Sequence, residues 1–130
     1  MGSARVLCSL FGALLLAQGF AGGARGAEPM FTLNPTSGPP GSSYEAAASG
    51  PGNTCPTPND VVIVAFVDAG GTETESDPIP VEPDGSWRAT LAVPGTATPG
   101  AADLEAGCHA SATADEPSLL YGRGTFTVTG

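Results

Sequence analysis

The sequence predicts an all-β fold, a sandwich of about seven antiparallel strands that follows an N-terminal signal. Three observations support this prediction. Apolar and polar residues alternate in short runs, and clusters of Gly, Pro, Asn and Asp separate these runs at intervals typical of a sandwich. No apolar period of about 3.6 residues continues past the first 27 residues, so no helix is predicted there.

The first 27 residues, MGSARVLCSLFGALLLAQGFAGGARGA, are organised like a secretory signal peptide. Arg5 provides the positive charge, residues 6–17 form the apolar segment, and small residues follow it. The apolar segment is short for a membrane span of about 20 residues. We therefore expect cleavage near Gly26 or Ala27 and removal of Cys8 with the signal.

The remaining domain, residues 28–130, is strongly acidic. It keeps two Arg against 13 acidic residues, which gives a formal net charge of −11. This charge disfavours binding to nucleic acid or to an anionic membrane, since both require clustered positive charge. The domain also keeps two cysteines, Cys55 and Cys108, and a cysteine pair in an exported protein predicts a disulfide.

The first half of the domain contains four predicted strands, at residues 30–35, 42–49, 61–68 and 73–81. The second strand places Tyr44, Ala46 and Ala48 on one face. The third, VVIVAFVD, is apolar on both faces and is therefore predicted to lie inside a sheet. The fourth carries acids and prolines, which suits a sheet edge.

The second half contains three more predicted strands, at residues 86–93, 101–111 and 123–130. Alternation predicts which of their side chains point into the core: Trp87, Ala89, Leu91, Val93, Ala102, Leu104, Ala106, Cys108, Phe126 and Val128. Trp87 is predicted to be a core anchor and not an exposed platform for a sugar.

Cys108 and His109, the only histidine, stand side by side in the stretch LEAGCHAS. Neighbouring side chains on a strand point to opposite faces. Cys108 is therefore predicted to face the core, and His109 to face solvent beside Glu105. This arrangement disfavours a Cys–His nucleophile pair.

Several stretches resemble the small immunoglobulin-like domains of secreted proteins from high-GC bacteria. The similarity lies in LNPTSGPPGSSYEAAASGPGNTCP, DGSWRATLAVP, PGAADLEAGCHAS and FTVTG, which together cover about residues 29–130. The PTSG opening is also distantly similar to that of the neocarzinostatin-type chromoprotein apoproteins. The chain departs from the first family at Ala102, where an aromatic residue is usual.

The resemblance implies an immunoglobulin-like sandwich and a module without enzymatic activity that binds or spaces something at the cell surface. The disulfide would join Cys55 to Cys108. An alternative is a small-molecule carrier like the chromoprotein apoproteins, which would need an apolar pocket between the sheets. A secreted hydrolase is the third class that we consider.

The sequence gives little support for catalytic or metal chemistry. The single histidine has no evident orienting partner, and one His with two cysteines cannot complete a zinc site. The stretch DAGGTETESD gathers carboxylates suited to Ca²⁺, at Asp68, Glu73, Glu75 and Asp77. It lacks the EF-hand spacing, and we interpret it as a solvated acidic edge. No cofactor and no metal site are predicted.

The best candidate for a partner contact is SLLYGRG, residues 118–124. We expect this stretch at one end of the sandwich, where Tyr121 and Arg123 would contact a partner protein or an envelope glycan. The alternative is that Leu120 and Tyr121 cap the core.

Overall fold

The computed structural model describes residues 28–130 and contains ten β-strands there and no helix. The predicted signal, with its cleavage site and Cys8, lies outside the described residues. The strands are Thr32–Asn34 (β1), Ser37–Gly38 (β2), Ser43–Ala48 (β3), Val61–Val67 (β4), Glu73–Glu75 (β5), Ile79–Pro80 (β6), Trp87–Ala92 (β7), Gly100–His109 (β8), Leu119–Leu120 (β9) and Gly124–Val128 (β10). Among these residues there is thus no helix that could cross a membrane.

Two sheets form the sandwich. The smaller sheet has the order β1-β3-β7, and the larger has the order β2-β10-β8-β4-β5, with β6 paired to β4 and β9 paired to β8. All pairs are antiparallel except β2 with β10. The predicted all-β sandwich is confirmed, with more strands than the predicted seven.

The additional strands arise where predicted runs are interrupted. The predicted edge strand 73–81 splits into β5 and β6, because Pro78 has no N–H and the Ser76 hydroxyl accepts the hydrogen bond of the Val64 N–H at 2.9 Å. The two-residue β2 was not predicted, since it pairs with β10 in parallel and contains no apolar alternation.

The core follows the predicted alternation. The side chains of β3, β8 and β10 that were predicted to share one face are all buried. In the predicted strand 86–93, Trp87 (2% exposed) and Val93 are buried, whereas Ala89 and Leu91 are half-buried. All six aromatic rings of residues 28–130 are buried: Phe31, Tyr44, Phe66, Trp87, Tyr121 and Phe126. They form two groups of tilted or edge-on contacts, one on Trp87 and one on Phe126. Trp87 is therefore confirmed as a core anchor.

The Cys55–Cys108 disulfide is present, with the two Cα atoms 5.7 Å apart. It fixes the loop after β3 to the buried face of β8. The same loop is held by Asp60, a buried carboxylate that accepts hydrogen bonds from the hydroxyls of Thr57 (3.0 Å) and Ser118 (3.2 Å). Together these contacts fasten the 50–60 loop to the segment that carries β9.

Candidate interaction surface

The outer face of the larger sheet is built from rows of paired residues. The register pairs Ile63 of β4 with Gly107 of β8, and Gly107 with Leu120 of β9. Side chains of paired residues point to the same face of a sheet. Ile63 and Leu120 therefore flank Gly107, which is itself buried because Pro117 and His109 lie close over it. Leu120 is 61% exposed, which is unusual for a leucine on a strand of this domain.

A Cβ atom on Gly107 would lie only 3.1 Å from the Cβ of Pro117. The segment 111–118 thus passes close to Gly107, and glycine at this position allows its approach. We call the outer-face row Ile63, Gly107 and Leu120 the apolar row.

Carboxylates occupy the two rows beside the apolar row. Glu75 pairs with Ala65 and Ala65 with Glu105, while Glu73 pairs with Val67 and Val67 with Asp103. The four acidic residues of these rows are Glu73, Glu75, Asp103 and Glu105. The apolar row is therefore bordered by a strip of negative charge.

Arg123 lies on the same face. Its guanidinium is 3.0 Å from Glu105 and 4.0 Å from Asp103, and its side chain remains 64% exposed. Ion pairs as exposed as these contribute little to stability, about 0–1 kcal/mol. Arg123 therefore acts mainly on the local charge. Its one positive charge against the four carboxylates leaves a net charge of −3 on this face.

Two open hollows adjoin Leu120. One, of about 440 Å³, is lined by Glu28, Glu105, Leu120, Tyr121, Gly122 and Arg123. The other, of about 170 Å³, lies over the apolar row and reaches His109 and Pro117. Glu105 and Leu120 belong to both, so the two hollows form one continuous uneven surface.

A β-bulge explains why Leu120 is exposed and Tyr121 is buried. Gly124 pairs with Leu104, whereas Leu120 pairs with Gly107, so the second strand has one more residue than β8 between these two pairs. An extra residue reverses the direction of every side chain beyond it. At this bulge the Gly122 N–H turns away from β8 and donates to the Pro29 carbonyl at 2.8 Å.

The structure corrects the predicted position of residues 118–124. They do not form a loop at the end of the sandwich but lie along β8, because β9 pairs with it and the Tyr121 N–H donates to the Ala106 carbonyl at 3.0 Å. The two predicted contact residues, Tyr121 and Arg123, both border the larger hollow, but only Arg123 is exposed on the outer face, whereas Tyr121 is 4% exposed. Contact of either residue with a partner stays a prediction. Of the two residues that the alternative placed against the core, Tyr121 is buried and Leu120 is exposed.

Tyr121 is tied into the core by its hydroxyl. The Trp87 indole N–H donates to this oxygen at 2.9 Å, and the hydroxyl donates to the Asn53 carbonyl at 2.7 Å. Burial raises the pKa of Tyr121, although the Trp87 hydrogen bond acts in the opposite direction. The hydroxyl therefore links the small sheet to the 50–60 loop.

His109 does not act together with Cys108. Cys108 is fully buried in the disulfide, and His109 points to the opposite face, as predicted. The histidine is half-buried and not fully open to solvent, because its Nδ1 lies 3.2 Å from the Ala114 carbonyl oxygen. This contact fastens the 111–118 segment over the sheet.

The acidic stretch 68–77 does not converge on a common point. The Asp68 carboxylate accepts hydrogen bonds from the N–H groups of Gly70 (2.9 Å), Thr72 (2.9 Å) and Thr98 (3.1 Å). Its lone pairs are thereby used by backbone N–H groups of its own turn and of the loop that contains Thr98. Within residues 28–130, no three His, Cys, Asp or Glu side chains are grouped so that they could hold a metal ion.

The space between the two sheets is small. A hollow of about 90 Å³ opens beside β7 and is lined by Tyr44, Val64, Phe66 and Leu91 among others. Small-molecule sites usually measure about 300–1,000 Å³. In this conformation the hollow is thus too small for a ligand of chromophore size.

Compared with models of known protein families and with curated protein sequences, the chain matches none of them.

Proposed function

We propose that this protein is a secreted, non-enzymatic immunoglobulin-like module that binds a partner protein at the cell surface through the outer face of its larger sheet. The observation that carries this proposal is Leu120, a large apolar side chain 61% exposed on a strand, beside the hollow that lies over the apolar row. A leucine held on a paired strand loses little freedom on binding, which favours association.

A protein partner fits this surface better than a glycan. Sugar recognition commonly relies on an exposed aromatic ring, whereas all six rings of residues 28–130 are buried. The outer face instead offers aliphatic side chains, a guanidinium and carboxylates. This is the mixture of an apolar centre and a polar rim that is found in protein interfaces.

The partner segment is expected to carry lysine or arginine beside an apolar residue. Glu73, Glu75, Asp103 and Glu105 would attract these cations, while Leu120 would be covered by the apolar residue. Such attraction is screened by salt, with a Debye length of about 10 Å at 0.1 M. Binding should therefore weaken as ionic strength rises.

Export is part of the same proposal. It is supported by the signal-like segment 1–27 and by the joined cysteines 55 and 108, because disulfides persist mainly in oxidising compartments. The resemblance to small bacterial immunoglobulin-like domains points to the same location. Sequencing the N-terminus of the protein recovered from the medium should give a start at residue 27 or 28, and recovery in the cytoplasm with an intact first residue would contradict export.

The surface is tested by two matched variants. Leu120→Ser removes the exposed leucine, and Met30→Ser removes the other large apolar side chain that is exposed in residues 28–130, which is 63% exposed but lies outside the apolar row. The protein is immobilised and exposed to the envelope fraction and medium of the cell that produces it. We expect Leu120→Ser to lose a partner that both native protein and Met30→Ser retain, with the loss reproduced by high salt. Equal capture by all three proteins would contradict the proposed surface.

A further inference from the structure

The edge of the smaller sheet at β7 has unused hydrogen-bonding groups. β7 pairs with β3 on one side, and within residues 28–130 no strand pairs with its other side. In an antiparallel pair, residues alternate between those that bond to the neighbour and those that point away from it. The hydrogen bonds at the two ends of β7 show in which direction the backbone N–H and C=O groups of each residue point.

At the C-terminal end, the Val93 N–H donates to the Ser42 carbonyl at 2.7 Å, and the Gly41 N–H donates to the Val93 carbonyl at 2.9 Å. The backbone N–H and C=O of Val93 therefore point to β3, and alternation gives the same direction to the backbone groups of Leu91 and Ala89. At the other end, the Ser86 carbonyl points away from β3, since it accepts from the Glu82 N–H at 2.8 Å. The hydrogen bonds at both ends thus give the same result for which β7 residues point to β3 and which point away from it.

The backbone N–H and C=O groups that point to the open edge are those of Arg88, Thr90 and Ala92. None of these groups has a hydrogen-bond partner among the described residues outside the strand ladders. The three residues are evenly spaced around Thr90, so the edge presents a symmetric set of donors and acceptors.

The other sheet edges are protected in ways that β7 is not. β1 is three residues long and is followed by Pro35, and β2 is two residues long. β5 and β6 contain the charges of Glu73 and Glu75 and the imino nitrogen of Pro80. Natural proteins commonly blunt edges by these devices. β7 is six residues long and contains neither proline nor an acidic residue.

We propose that the open edge of β7 pairs with β7 of a second copy of this chain, in an antiparallel arrangement whose two-fold axis passes beside Thr90. Thr90 then faces Thr90 of the second copy, and Arg88 faces Ala92. Each facing pair exchanges two backbone hydrogen bonds, which satisfies all the open groups of Arg88, Thr90 and Ala92 on both chains.

The side chains suit this symmetry. On the inner face, the half-buried Leu91 comes to lie opposite Ala89 of the second copy, so both lose exposed apolar surface. On the outer face no like charges meet, because Arg88 is opposite an alanine. The single charge of β7 is the positive charge of Arg88, which lies 3.4 Å from Glu45, so the strand itself brings no carboxylate to the interface.

The remaining net charge of the two copies still opposes association, so salt should strengthen the dimer. This dependence is opposite to that expected for the basic partner of the larger sheet. The two proposals also use different sheets, and each can fail without the other.

Sedimentation equilibrium of the purified protein from roughly 10 µM to roughly 1 mM tests the dimer. We expect a concentration-dependent monomer–dimer equilibrium that salt shifts towards dimer. Thr90→Glu places two carboxylates opposite each other and should raise the dissociation constant at least about tenfold. Thr127→Glu adds the same charge at an exposed position of β10 and should have a much smaller effect. Thr90→Pro removes the central N–H and should also abolish the dimer.

Amide hydrogen exchange locates the interface independently of folding. The amides of Arg88, Thr90 and Ala92 should gain protection at high concentration and lose it on dilution, while those of Ala89 and Leu91 stay protected throughout. A protein that is monomeric across the whole range would overturn the proposal. A dimer that keeps its affinity in Thr90→Glu, or that forms without protecting these three amides, would do the same.

Discussion

At the scale of single residues, the Tyr121 hydroxyl both accepts a hydrogen bond and donates one in the core. Replacement by phenylalanine keeps the ring but leaves the buried Trp87 N–H and the Asn53 carbonyl without their partner. A buried polar group that loses its hydrogen bond costs about 1–3 kcal/mol. We therefore expect Tyr121→Phe to lower the free energy of unfolding by about that amount in a denaturant titration.

Tyr44→Phe is the matched control for this prediction. Tyr44 is also buried, at 3% exposure, and burial raises its pKa to about 12, but its hydroxyl has no hydrogen-bond partner within residues 28–130. Its removal should change the free energy of unfolding by much less. Equal losses in the two variants would show that the hydrogen bonds of Tyr121 are not the cause.

Asp68 links stability to pH. Hydrogen bonds from the N–H groups of Thr98, Thr72 and Gly70 lower the pKa of its carboxyl. Because the folded-state pKa lies below the unfolded one, the stabilisation is complete above the unfolded pKa and is lost as pH falls through the folded value. Asp68→Asn should therefore lower the thermal midpoint at neutral pH and flatten its decline in acid. Asp77→Asn, at an exposed position, is the control and should leave the slope unchanged.

The burial of individual residues could be predicted from the sequence wherever a strand is continuous. Alternation placed Trp87, Leu104 and Phe126 in the core because each lies on an uninterrupted strand. It could not place Leu120 and Tyr121, since the bulge between β9 and β10 shifts the phase by one residue. Gly122 and Gly124 were the available signal, as glycine within a strand often marks a bulge.

At the scale of elements, the disulfide joins a long loop to a central strand. The two cysteines are 53 residues apart in sequence. In the chain-entropy description, closing a loop of this length stabilises the fold by roughly 4 kcal/mol. Cys55→Ala together with Cys108→Ala should lower the free energy of unfolding by about this amount, measured by denaturant titration against the oxidised protein. Reduction of the native protein should give a similar loss, and an unchanged denaturation midpoint in both would contradict the prediction.

The longer strands were predictable, whereas the two-residue β2 and β9 were not, and the pairing of the strands was only partly predictable. The acids and prolines of 73–81 indicated an edge, and the segment does lie at the edge of the larger sheet. The sequence did not predict that one edge of β7 would remain open. This edge is open because β6 pairs with β4 and not with the smaller sheet. The open β7 edge is thus a property of topology. It cannot be recognised from the sequence of β7 alone.

At the scale of the whole molecule, both sides of the sandwich are stabilised by contacts between distant segments. The 50–60 loop meets β8 through the disulfide, Tyr121 through the Asn53 carbonyl, and Ser118 through Asp60. These contacts hold β9 against β8 and therefore hold Leu120 in its exposed position. The candidate interaction surface thus depends on a loop that is bonded to β8 and to the segment carrying β9.

The negative net charge of the domain is expected to lower its thermal stability. Thirteen acidic residues face two arginines, and four of the acids lie together on the outer face of the larger sheet. Mutual repulsion within a folded chain favours expansion, and the Debye length falls from about 30 Å at 0.01 M salt to about 10 Å at 0.1 M. We expect the thermal midpoint to rise over this salt range.

Glu75→Gln, which removes one of the four clustered charges, should raise the midpoint at low salt and reduce its rise with salt. Glu82→Gln, at an exposed position away from the cluster, should do so less. A midpoint that falls with salt in the native protein would mean that the ion pairs of Arg88 and Arg123 outweigh the repulsion among the carboxylates.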